Sequence, residues 1–115
     1  MKKLFTILFL ILFPIFLIKT QNSLQAQEIC QEKPSLKLYY LPWCPYSQKV
    51  ISYLKEIHKT VPLESLQKNP EAKAELQKIG GKSQVPCLII DNYPLYESDA
   101  ILKWLSENKE CLDPA

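Results

Sequence analysis

Between residues 36 and 57 the spacing of apolar side chains changes once, and abruptly. "LKLYYL" (36–41) is short and rich in β-formers, whereas in "PYSQKVISYLKEIHK" (45–59) Tyr46, Val50, Leu54 and Ile57 recur at helical spacing. The change falls on a single cysteine, Cys44, flanked at short range by Pro42 and Pro45. A strand that passes into a helix within four residues commits the chain to an α/β unit, and the rest of the sequence repeats the alternation.

"TVPLESL" (60–66) reads as a second short strand, with Pro62 suiting an edge position or a strand start. "NPEAKAELQKIGG" (69–81) has the marks of a whole helix: Asn69 as N-cap, Pro70 at the first helical position, Glu71 in the first turn, and a buried stripe of Ala72, Leu76 and Ile79. The only two glycines of the chain, Gly80 and Gly81, stand at its end as a C-cap and loop. Cys87–Ile90 is apolar at every position, as a strand covered on both faces should be. Asp91 and Asn92 tolerate left-handed backbone and supply a tight turn into "YPLYE". "SDAILKWLSENK" (98–109) closes the chain as an amphipathic helix, Ser98 or Asp99 its cap, Ile101, Trp104 and Leu105 its inner face. The expected order is β-α-β-α-β-β-α, a four-stranded mixed sheet with helices on its faces, over residues 35–109.

The first 26 residues form a separate unit. A cationic "MKK", an apolar run from Leu4 to Ile18 interrupted by Thr6 and Pro14, and a polar tail ending at Ala26 read as a secretory signal peptide. The run is shorter than the roughly 20 residues of a spanning helix. The expectation is an exported, periplasmic protein beginning at Gln27; an uncleaved membrane anchor over residues 4–18 is the alternative. Bulky Ile29 before Cys30 argues against lipidation. The net charge of +2, part of it from Lys2 and Lys3, provides no basic face for nucleic acid. Outside the cytosol disulfides persist, so Cys30, Cys44, Cys87 and Cys111 are all potential pairing partners.

Three motifs in this order, "CPYS" (44–47), "QVPCL" (84–88) and "LYESDAI" (95–101), make the chain resemble the glutaredoxins and the N-terminal domain of glutathione S-transferases, both thioredoxin-like folds. The physics of the first motif agrees with the resemblance. A cysteine at a helix N-terminus faces unpaired N–H groups and the positive end of the macrodipole, which favour thiolate over thiol. Dithiol glutaredoxins carry a second cysteine three residues on, where this chain has Ser47, so an internal 44–47 bond is closed to it. The resemblance then implies glutathione-dependent monothiol exchange, or deglutathionylation of protein thiols, through Cys44.

The resemblance also implies a glutathione cradle. Val85 precedes a cis-proline, Pro86, and pairs its backbone with the cysteinyl part of the ligand; Glu97 and Ser98 grip the γ-glutamyl end, and Asp99 either assists or only favours the helix dipole. Tyr46 lies over the ligand or, by its spacing with Val50, joins the core. Trp43 is expected near the site, free to contact a partner protein. Cys87 is either a small buried hydrophobe or a resolving thiol. Cys30 and Cys111, at the two ends of the domain, are candidates for a structural disulfide. No Cys/His set has metal-ligand spacing, and His58 has no assigned role.

Three rivals share the fold. A glutathione-binding or iron-sulfur-carrying module would normally have Gly-Phe after the cysteine, where Pro45 and Tyr46 stand. A glutathione S-transferase needs a helical second domain, for which Ser106–Ala115 leaves no room unless another chain supplies it. An exported thiol-disulfide folding partner would need Cys87 to resolve. A monomer with glutathione as co-substrate and glutathionylated protein thiols as partners is the expectation.

Overall fold

The computed structural model describes residues 30–115; the expected signal peptide lies outside them. Among these residues six strands and three helices follow one another: β1 Leu36–Tyr40, α1 Pro45–Glu56, β2 Lys59–Thr60, β3 Leu63–Ser65, α2 Ala72–Gly80, β4 Cys87–Ile90, β5 Tyr93–Tyr96, α3 Ser98–Glu107, a 3₁₀ turn at Lys109–Cys111, and β6 Asp113–Pro114. The main sheet has the order β3-β1-β4-β5. β1 runs parallel to β3 and antiparallel to β4, which pairs antiparallel with β5. The expected four-stranded mixed sheet is therefore present.

Period-two alternation divides the core between the two faces of the sheet. Leu38 and Leu88 point to one face, where α1 supplies Val50 and Leu54, α3 supplies Ile101 and Leu105, and Val61 and Leu112 close the end. Tyr39, Cys87 and Ile89 point to the other, under Ala72 and Leu76 of α2. Each fully buried leucine contributes on the order of 1.5–3 kcal/mol, so the two faces rather than any one contact hold the sheet between its helices. Trp104 packs against the α1–α3 side as a partly buried edge.

Four local expectations are corrected. The stretch 60–66 is not one strand: it divides at Pro62, which has no N–H to give a ladder, and Lys59–Thr60 pairs instead with Asp113–Pro114 in a separate two-stranded sheet. Asn69 does not cap α2, and Pro70 is not its first residue. The Asn69 side chain accepts the N–H of Glu71 at 3.1 Å, making a turn that precedes a helix starting at Ala72. Ile79 is 39% exposed, and in the last turn of α2 it is Gly80 that packs against β5, at Tyr96 and Pro94. Finally, the N-cap of α3 is Glu97, with Ser98 as the first helical residue.

The turns behave as their residues dictate. Asp91 and Asn92 have φ of 48° and 70°, the two left-handed positions of a two-residue hairpin. Gly81 caps α2 at φ 85°. Gly80 is needed for a different reason: a Cβ there would fall 2.0 Å from the Tyr96 hydroxyl.

Cys30 and Cys111 are joined in a disulfide, which ties the segment before β1 to the 3₁₀ turn. Lys33 forms an ion pair with Asp113 beside it. Among the described residues no helix is long and apolar enough to cross a membrane.

Candidate functional site

Cys44 is the N-cap of α1, with extended backbone (φ −77°, ψ 120°), and Pro45 opens the helix. The approach loop is fastened to the helix it feeds. The Gln48 side chain donates to the Pro42 carbonyl at 2.6 Å, the Cys44 N–H donates to the Leu41 carbonyl, and the Leu41 N–H donates to Ser47 Oγ at 3.3 Å. Half-burial of Cys44 by itself would disfavour its anion. The Ser47 N–H, the Ser47 hydroxyl and the Tyr46 N–H outweigh that cost and hold the thiol below its ordinary value. Ser47 is fully buried and joins the entry loop to the sulfur. Sequence reasoning treated Ser47 only as a missing second cysteine. That a serine one turn into a helix can turn back to its N-cap was the signal available.

Beside this helix end lies a groove of about 420 Å³ walled by Tyr46, Gln84, Val85, Pro86, Glu97, Ser98 and Asp99. All six residues read from the sequence as a cradle meet in it. Cys44 is not itself part of its wall and is tied to it through Tyr46, which is 64% exposed and does not join the core. Trp43 is equally exposed.

The groove opens where the β4–β5 ladder stops. Its last rung is Cys87 opposite Tyr96. Continued, the register would set Pro86 against Glu97 and Val85 against Ser98. Instead Pro86, at a cis peptide bond, has no N–H to give a further rung, and Glu97 turns away at φ 74°, so the ladder stops and a cleft lies between the two chains. A positive φ at glutamate costs on the order of 1–3 kcal/mol. Gln84 Nε2 donates to Glu97 Oε1 at 3.1 Å across the cleft, a contact with no counterpart in the sequence pattern.

Ser98 is largely buried and lines the groove, and the N-cap residue Glu97 makes no side-chain capping bond, which leaves the first N–H groups of α3 open there. Asp99 is engaged at 2.6 Å by Lys49 of α1. The acidic wall can hold an ammonium, and the helix N-terminus a carboxylate.

Cys87 lies on the α2 side of the sheet with no exposed surface, in the cluster of Tyr39, Ala72 and Leu76. Burial pushes its thiol up to about 11. Among the described residues no group of three or more metal-ligating side chains converges.

These features define the class first: a thioredoxin-like α/β fold. Solved glutaredoxins share it, among them the holo form of glutaredoxin C1 from Populus tremula x tremuloides, with a TM-score of 0.52, 15% identity, and 65% of this chain covering 77% of that one. So does a glutathione complex of a buckwheat glutaredoxin (TM-score 0.53, 16% identity, covering 67% of this chain and 73% of that one). The family follows. Residues 38–111 match the family described as glutathione S-transferase, N-terminal domain, and the chain belongs to it. The unclassified glutathione S-transferase 2 of Bombyx mori is 28% identical, with a TM-score of 0.56 over 64% of this chain and 35% of its own. A probable maleylacetoacetate isomerase of Caenorhabditis elegans is 33% identical over 79 residues, 66% of this chain. The chain spans 35% of that curated relative's length. Fold and family together point to glutathione-related thiol chemistry.

Proposed function

We propose that the protein is a glutathione-dependent monothiol oxidoreductase acting through Cys44. The observation that carries this reading is the thiol at the start of α1, held below its ordinary value by three hydrogen-bond donors, beside a groove with an acidic and helix-N-terminal wall. The Cys44 thiolate attacks the glutathionyl sulfur of a protein mixed disulfide. The bond between protein sulfur and glutathione sulfur breaks, the protein leaves as a thiolate and takes a proton from water, and Cys44 carries the glutathione. A second glutathione thiolate attacks that glutathione sulfur, releasing glutathione disulfide and restoring the Cys44 thiolate.

In this reading Val85 meets the cysteinyl backbone of glutathione, Glu97 its ammonium, and Ser98 with the α3 N-terminus its γ-glutamyl carboxylate. Tyr46 covers the ligand. Asp99 tethers Lys49 and so adds a cation to the carboxylate end. Cys87 serves packing, because its sulfur is directed into the α2 side of the core rather than toward α1. The Cys30–Cys111 disulfide supports export to an oxidising compartment.

The test is direct. The domain is treated with glutathione disulfide and the adduct is located by mass spectrometry. One glutathione on Cys44, removed by excess glutathione and absent in Cys44→Ser, is expected; an internal 44–87 bond would replace the proposal with a folding-partner role. The family match favours a second reading, in which the groove activates glutathione itself for transfer to an electrophile. That reading requires conjugation of an electrophile such as chlorodinitrobenzene to survive in Cys44→Ser.

A further inference from the structure

Besides Tyr46 of α1, two segments wall the groove: the loop between α2 and β4, which carries Gln84, Val85 and Pro86, and the junction of β5 with α3, which carries Glu97, Ser98 and Asp99. Neither is held by the β-ladder, which ends at Cys87 and Tyr96. Something else must set the distance between them.

Tyr96 does so at several points. Its hydroxyl donates to the Lys82 carbonyl at 2.7 Å, at the start of the loop. Its ring lies under the Lys82 ammonium, 4.6 Å from the centroid. The same hydroxyl occupies the space that a side chain on the glycine at the end of α2 would need, since a Cβ on Gly80 would fall 2.0 Å from it. The ring also packs against the α2-side core, opposite Cys87. The next residue along the chain is Glu97, whose left-handed φ turns the backbone into α3. Tyr96 therefore grips the far wall while its own peptide begins the near one.

We propose that Tyr96 is the positioning residue of this groove, a strut from β5 to the α2–β4 loop that sets the spacing of Val85 from Glu97. It touches no ligand and acts through the two walls. The inference rests on the glutathione reading for its ligand, and on the geometry alone for the strut. Gln84 to Glu97 is an outer crosslink of the same two segments, so loss of the Tyr96 hydroxyl leaves that bond and the ring's contact with Lys82 in place and loosens the groove without opening the fold.

Tyr96→Phe in the full chain removes the hydroxyl and keeps the ring. Without any ligand it should shift the backbone amide resonances of Val85 and Glu97 while those at the start of α1 stay in place. With an S-glutathionylated cysteine peptide and reduced glutathione as substrates, KM for glutathione should rise about three- to tenfold, the range of one net hydrogen bond. The turnover number at saturation and the pH midpoint of Cys44 alkylation should be unchanged. Gly80→Ala, which pushes against the same hydroxyl, should raise KM in the same direction. A merely structural tyrosine would lower the urea midpoint and leave KM alone. Unshifted resonances at Val85 and Glu97, or an unchanged KM in a wild-type-active background, overturn the strut. A wild-type chain that takes no glutathione overturns the functional reading instead, and the resonance shifts still decide the strut.

Discussion

At the scale of single residues, two cysteines of one chain are driven in opposite directions by their surroundings. Cys44 gains three donors at a helix end and is lowered; Cys87 loses solvent on the α2 side and is raised to about 11. Alkylation of Cys44 by iodoacetamide, followed against pH, should give a midpoint below that of a free cysteine measured alongside. Ser47→Ala removes one of the donors and should move that midpoint upward. It also leaves the Leu41 N–H without its acceptor, at a stability cost of about 1 kcal/mol readable from urea unfolding. A midpoint unmoved by Ser47→Ala would remove the serine from the account of the thiolate. For Cys87 the sign runs the other way. The unfolded chain ionises near the ordinary 9.0 and the folded chain near 11, so the contribution of this thiol to stability is complete below pH 9 and is lost as pH rises toward 11. A native chain at pH 8 should therefore yield one thiol to a disulfide reagent, and a second only after unfolding in urea.

At the scale of elements, the junctions do more than the elements. α2 ends because Gly81 takes φ 85°, and Gly81→Ala should lower stability by about 1 kcal/mol, measured by urea unfolding, although nothing crowds its Cβ. The groove exists because the β4–β5 hairpin is released at both strands at once, by a proline on one and a left-handed glutamate on the other. Legibility follows the same line. The hairpin turn was readable from Asp91 and Asn92, since their tolerance of positive φ is a property of the residue. The start of α2 was misread because Asn69 satisfies a turn and a helix cap with the same side-chain oxygen, and only the packing of Ala72 against the sheet selects between them. Ser98 was expected as a cap for the same reason. It is displaced by one residue because Glu97 makes the turn.

At the scale of the whole molecule, the Cys30–Cys111 disulfide closes a loop with a sequence separation of 81, nearly the full described chain. Loop-closure entropy assigns such a bond about 4.5 kcal/mol, acting on the unfolded state. Replacing both cysteines by serine should lower the urea midpoint by a corresponding amount and leave the alkylation profile of Cys44 unchanged. A shift in that profile would mean that the tie reaches the site.

What the sequence determined by itself is the order of the four main-sheet strands and the three helices, and the cysteine at the first strand-to-helix junction, because each depends on periodicity or on a property carried by one side chain. Tertiary structure alone decided which face Cys87 occupies, that Gln84 and Tyr96 bind the two walls together, that Lys59–Thr60 pairs with the chain's last residues, and that Ser47 supports the sulfur. Those outcomes depend on which segments come to lie side by side. Contacts between residues distant in the chain leave no periodic mark on either segment.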